Sequence, residues 1–171
     1  MSPLVRVEVS RERLRRYADD GELFAVVDAC DRPEVPAMAW ERGSRAASLF
    51  AGTEDAPLWA LAPYLFEADE EMLDRLAGTQ AWGVFVVADG GLDALAGHLR
   101  RLLVTRAASG EPVRFRFYDP RVLPAHLDGC GAEALRELFG PVRAFGVETE
   151  EGTILFRRAD AMPKIRVVAE R

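Results

Sequence analysis

Leu23-Phe24-Ala25-Val26-Val27-Asp28 places five apolar residues in a row and closes them with an aspartate. A run of that length predicts a strand buried on both faces. Trp82 to Ala88 repeats the pattern around Val84-Phe85-Val86-Val87. Glu70 to Ala77, between these runs, reads as a helix with Met72, Leu73 and Leu76 facing inward and Gly78 closing it. The clearest helix spans Leu92 to Val104, where Leu92, Leu95, Ala96, Leu99, Leu102 and Leu103 recur at the 3.6 period. Strands alternating with helices predict a mainly parallel sheet with helices on its faces. Ala132 to Phe139 forms a further helix, stopped by Gly140-Pro141. Val142–Glu148 and Thr153–Arg157 then read as an antiparallel hairpin across Glu150-Glu151-Gly152. The expected fold is α/β: one domain with a mixed, mostly parallel sheet flanked by helices and ending in that hairpin.

The remaining segments are less regular. Arg11 to Asp20 reads as a short charged helix, Arg32 to Pro36 as loop, and Trp40 to Leu49 as a helix broken near Gly43. Leu58 to Phe66 is almost wholly apolar, and Pro63 inside it predicts an edge position or a bulge. The chain therefore divides into an N-terminal helical segment packed on the core (1–22), the α/β domain (23–158), and a C-terminal strand or tail (159–171) with Ile165–Val168 as its strand.

A chain of 171 residues with 49% hydrophobic and 29% charged residues has the size and composition of one globular domain. Its net charge of -6 argues against a general nucleic-acid binder, which needs a basic surface. The basic residues are almost all arginine, Lys164 being the lone lysine, as a GC-rich coding sequence would give. Cys30, Cys130, His98 and His126 show no metal-ligand spacing and read as buried thiols and surface imidazoles. No apolar stretch reaches the roughly 18 residues of a membrane span, and Met1 to Ser10 lacks the apolar core of a secretory signal. The expected compartment is the cytoplasm, with no cofactor, no metal, no nucleic acid and no membrane.

The richest constellation of polar groups is Phe115-Arg116-Phe117-Tyr118-Asp119-Pro120-Arg121-Val122-Leu123. Val113, Phe115 and Phe117 alternate with Arg114, Arg116 and Tyr118 as in a strand, which Asp119-Pro120 ends. Asp119 reads as a capped turn leading into a short segment, Pro124 to Asp128, with a catalytic role as the alternative. Arg116 and Arg121 are the residues to expect on a docking surface, since arginine anchors interfaces. Asp28, at the end of a buried strand, suits either a loop cap or a catalytic carboxylate. The acids Glu67, Asp69, Glu70, Glu71 and Asp74 gather at a helix start, where they favour its dipole, and lack the ligand pattern of a calcium loop. Phosphate-loop, dinucleotide and serine-elbow motifs are missing from the sequence.

An ordered series of blocks adds a resemblance. Ser48-Leu49-Phe50-Ala51-Gly52-Thr53, Ala62-Pro63-Tyr64-Leu65, Trp82-Gly83-Val84-Phe85, His98-Leu99-Arg100-Arg101-Leu102-Leu103, the Phe115–Leu123 block and Leu138-Phe139-Gly140-Pro141 follow one another along the chain. The series, from about Leu23 to Phe156, resembles the effector-chaperone (adaptor) domains of bacterial type VI secretion systems, long catalogued as a domain of unknown function. The resemblance implies a non-enzymatic, adaptor-like domain that binds the N-terminal region of an effector protein and helps load it on the spike-tip protein. Arg116, Tyr118, Asp119, Arg121, Pro63 and Tyr64 match the family motif and are the expected partner-binding residues. The resemblance also implies that a further C-terminal lobe is common among family members, and this chain is expected to end soon after the core domain. A small metal-dependent hydrolase using Asp28, Asp119 and His98 stands as the alternative, and an immunity-type or scaffolding protein as a third.

Overall fold

A computed structural model describes residues 2–161. The elements, in chain order, are β1 (Leu4–Val9), α1 (Arg11–Asp19), β2 (Leu23–Asp28), α2 (Glu34–Arg42), β3 (Ala46–Ser48), β4 (Pro63–Glu67), α3 (Glu70–Leu76), β5 (Gly83–Ala88), α4 (Leu92–Leu102), β6 (Val104–Arg106), β7 (Pro112–Arg114), α5 (Leu123–Gly129), α6 (Ala132–Phe139), β8 (Val142–Glu148) and β9 (Thr153–Arg158). Seven strands form one sheet in the order β1-β9-β8-β5-β2-β4-β3, while β6 and β7 make a separate ribbon. The expected strand Ile165–Val168 lies outside the described residues.

Every pairing in the large sheet is antiparallel, which corrects the expectation of a mostly parallel one. The premise held, because every residue of β2 and of β5 is buried. Continuous apolar runs report that both faces are covered, and helices can cover both faces of an antiparallel sheet as well. The crossover through α3 does join two strands of like direction, β4 and β5. However, β2 lies between them and pairs antiparallel with each.

The register sorts the core into two layers. Phe24, Val26 and Asp28 share one face with Leu65, Val84, Val86 and Phe145. Three helices cover it: Phe139 of α6 stacks edge-on against Phe145 at 5.1 Å, Arg6 of β1 pairs with Asp128 of α5, and His98 of α4 is bonded to the Leu138 carbonyl of α6. Leu23, Ala25 and Val27 share the opposite face with Phe66, Phe85 and Val87. There Arg157 of β9 donates to the Tyr17 hydroxyl of α1, Arg15 of α1 pairs with Glu70 of α3 at 3.0 Å, and Arg75 of α3 reaches Met38 of α2. Helices α1–α3 thus cover one face and α4–α6 the other.

Local departures from expectation have local causes. Residues 5–9 alternate apolar and charged along β1, a strand absent from the sequence reading. Helix α2 begins at Glu34, inside the expected loop, because proline is tolerated in a first turn. The expected helix Trp40–Leu49 is instead the end of α2, a 3-10 turn (Gly43–Arg45) and β3. The apolar stretch 58–66 divides into an exposed 3-10 segment, Ala56–Leu61, and the buried strand β4. Pro63 is the first residue of β4, where a missing donor is harmless, although the strand is flanked on both sides.

The acidic cluster is fully engaged. Glu67 pairs with Arg45, Asp69 with Arg42 and Arg45, Glu70 with Arg15, Glu71 with Arg75 and Asp74 with Arg11. Asp69 also caps α3 by accepting from the Met72 N–H. Burial opposes its charge, but the Arg42 hydrogen bond, the Met72 N–H and Arg45 outweigh it and bring its pKa to about 2. The cluster fastens α2 and α1 to α3.

Candidate functional site

The C-terminal end of β2, the N-terminal ends of β4, β5 and β9, and the C-terminal end of β8 all lie at one end of the sheet, as the antiparallel register requires. Asp28 ends β2 there, its N–H donating to the Trp82 carbonyl. One carboxylate oxygen accepts from the Cys30 N–H at 3.0 Å, and the other from the Arg116 guanidinium at 2.5 Å. The Asp28 side chain is 10% exposed whereas that of Arg116 is 43% exposed. Arg116 also lies over the Tyr118 ring, 5.6 Å from its centroid.

The second carboxylate repeats the arrangement. Asp119 accepts from the Arg121 backbone N–H at 2.9 Å and from its guanidinium at 2.9 and 2.8 Å. Its side chain is 7% exposed and that of Arg121 is 73% exposed. The hydrogen bond from Arg121 holds the Asp119 carboxyl below the usual range despite burial, with the charge of Arg116 helping. Each buried carboxylate therefore orients an arginine whose head faces solvent. Asp119 also shapes the turn, its carbonyl accepting from the Val122 and Leu123 N–H groups as α5 starts.

Between the arginines the chain faces inward. The strand β7 ends at Arg114, so Phe115 and Phe117 lie in irregular backbone rather than in the expected strand. Phe117 is fully buried, edge-on to Tyr118 at 5.5 Å and to Phe145 at 6.4 Å. Tyr118 is buried as well, and burial first, then the Asp28 charge, raises its pKa. Pro63 and Tyr64, expected on the partner surface, are buried. Pro63 lies opposite Asp28 in the register, and the Tyr64 hydroxyl donates to the Trp59 carbonyl at 2.9 Å. Tyr64 thereby secures the 3-10 segment on which Leu58, Trp59 and Leu61 remain about half exposed.

The same end of the sheet carries a groove of about 730 Å³, floored by Leu14, Leu73, Trp82, Phe85 and Val147 and walled by Pro120-Arg121 on one side. The Trp82 indole N–H donates to Glu148 at 2.8 Å, which fixes the floor. Trp59 and the groove had no signal in the sequence: the first hid in an apolar run, the second is built from five separate segments.

A family model described as a domain of unknown function, DUF4123, matches residues 23–137. The chain belongs to this family. The matched stretch of this DUF4123 protein runs from the first residue of β2 into α6, and so includes Asp28, Pro63, Tyr64 and the whole Arg116–Arg121 block. No curated protein and no solved structure matches the chain.

The three groups of the hydrolase alternative are engaged elsewhere. Asp28 and Asp119 hold arginines, and His98 is buried with its Nε2–H donating to the Leu138 carbonyl at 2.9 Å. Among the described residues, no group of three His, Cys, Asp or Glu side chains is placed to hold a metal ion. No helix among them is long and apolar enough to cross a membrane.

Burial, with Arg101 adding repulsion, lowers the pKa of His98, and burial does the same for His126. Both imidazoles thus take up a proton more readily in the unfolded chain than in the folded one. Stability is then complete above the unfolded value of about 6.5 and falls as pH drops below it. Denaturant unfolding between pH 7.5 and 5.5 should show this decline, and His98→Gln combined with His126→Gln should flatten it. An undiminished slope in that double variant would assign the decline to other groups.

Proposed function

We propose that this DUF4123 protein is a non-catalytic adaptor, acting in the cytoplasm of the producing cell. It binds the N-terminal region of a type VI secretion effector and helps deliver it to the spike-tip protein. The observation that carries this reading is the pair of solvent-facing arginines, Arg116 and Arg121, each oriented by a buried carboxylate. A guanidinium held in place loses less conformational entropy on meeting a partner carboxylate or carbonyl, which suits it to an interface.

Family membership and the order of the sequence blocks support the same reading. So does the exposed apolar segment: the Ala29 N–H donates to the Ala62 carbonyl at 3.1 Å, so Leu58, Trp59 and Leu61 end beside Asp28 at the same end of the sheet. Aromatic and arginine side chains at one place are the usual energetic centre of a protein–protein interface.

Affinity capture of the tagged chain from its native lysate, with mass spectrometry, tests the proposal. A stoichiometric large protein bearing a toxin-like domain, or a spike-tip protein, is the expected companion. A chain that elutes alone at physiological salt would overturn it.

A further inference from the structure

The outer edge of β1 is the longest strand edge that no other strand of the described residues covers. At the opposite end of the sheet β3 has only three residues, and Arg100 takes its Ser48 carbonyl at 3.0 Å. β1 has six. The Ala159 N–H donates to the Pro3 carbonyl across the β1–β9 ladder at 2.8 Å, and the register pairs Val5, Val7 and Val9 with Arg157, Leu155 and Thr153. Backbone groups alternate along an antiparallel ladder, so those of Val5, Val7 and Val9 face β9 and those of Arg6 and Glu8 face outward. Neither a proline within the strand nor a bulge blunts this edge, although exposed edges ordinarily carry such devices.

The side chains select one occupant. An antiparallel pair of β1 strands centred on Val7 sets Val7 against Val7, Val5 against Val9, and Arg6 against Glu8 of the second copy, twice by symmetry. Registers centred on Val5 or Val9 separate these charges. Registers centred on Arg6 or Glu8, the nearest that keep the faces matched, set Arg6 against Arg6 or Glu8 against Glu8, and like charges directly opposite oppose pairing. Both side chains are available: Glu8 is exposed with no ion pair among the described residues, and Arg6, though paired with Asp128 and lying over Phe156, keeps 51% of its side chain exposed.

We infer that β1 is a self-complementary dimer edge, on which a second copy of this chain adds its own β1 about a two-fold axis at Val7. The pairing closes four outward backbone hydrogen bonds, from Arg6 and Glu8 of each copy, and joins the two seven-stranded sheets into one. An isologous contact of this kind closes at two copies. The strand lies outside the stretch matched by the family model, and the inference is independent of the adaptor reading.

Sedimentation across a concentration series tests it. The wild-type chain should populate a dimer. Glu8→Arg sets arginine against Arg6, and Arg6→Glu sets glutamate against Glu8, so each alone should weaken the dimer about tenfold or more. An equimolar mixture of the two variants should recover it, because every cross-strand pair is then of opposite charge. Val7→Cys gives a second readout that leaves the charges alone. A non-hydrogen-bonded pair brings the two Cα atoms to about 4.5 Å, within the roughly 4.4–6.8 Å that a disulfide spans. Mild oxidation should therefore link the two introduced thiols. A chain monomeric at all concentrations, a dimer indifferent to both charge reversals, or a mixture that does not re-associate would overturn the inference. A monomer whose Arg6 and Glu8 amides nonetheless resist hydrogen exchange would also overturn it, by placing residues 162–171 or another strand on that edge.

Discussion

Replacing Gly83 by alanine is expected to unfold the protein or come close to doing so. Gly83 opens β5 with φ +154°, and an added Cβ would lie 1.8 Å from the Val26 carbonyl oxygen and 2.9 Å from its carbon. Both are backbone atoms of β2, the strand paired beside β5, so no side chain can rotate away. Relief requires parting β5 from β2 at the end where the Asp28 N–H meets the Trp82 carbonyl. A clash of this kind belongs with the rare substitutions that cost about 4 kcal/mol or more, against a total stability of about 5–15 kcal/mol. Denaturant unfolding of Gly83→Ala checks it, and a midpoint equal to that of the wild type would show that the strands can separate at little cost.

Phe117→Ala should produce the second largest loss. Phe117 is fully buried, and its ring is the link between the Tyr118 turn and Phe145 of the sheet. Truncating a buried phenylalanine costs about 3–5 kcal/mol. For a chain of this size that lowers the melting temperature by about 10 °C. Phe115, partly covered by the His126 ring at 4.2 Å, lies nearer the surface and should cost less. A Phe117→Ala variant that melts with the wild type would mean that the block is not anchored through its aromatic side chain.

These two residues mark what could and could not be read from the chain. The strand cores and the helices α3, α4 and α6 were legible because their signal is local: a continuous apolar run, or a stripe at the helical period. Strand direction was not. β4 and β5 are separated by α3 in sequence, and nothing within either reveals that β2 sits between them. The alternating segment Val5–Val9 did carry a period-2 signal, but one concealed within the charged N-terminal region.

The site shows the same division. Arg116, Asp119 and Arg121 stood out because they are close in sequence, and the pairing of Asp119 with Arg121 is a two-residue affair. Asp28 and Arg116 are 88 positions apart, so their pairing emerges only in three dimensions. Pro63 and Tyr64 were expected to touch a partner, yet both are buried, and Tyr64 acts by holding the Trp59 segment. Conversely, Arg114 alternates with Phe115 as a surface arginine should, but it is committed to Asp55 at 2.8 Å and to the Phe50 ring.

The arrangement divides labour within a single block. Asp28, Asp119, Phe117 and Tyr118 are buried; Arg116 and Arg121, paired with the two carboxylates, are exposed, and the proposed function assigns them to the partner. Calorimetric titration of the captured effector's N-terminal region into wild-type protein and into the Arg116→Ala/Arg121→Ala double variant tests that division most directly, with thermal unfolding recorded on the same samples. The account predicts a melting temperature within a few degrees of the wild type and an affinity reduced about a hundredfold, as for the loss of two interfacial arginines at about 1–2 kcal/mol each. An affinity unchanged in a well-folded double variant would contradict it.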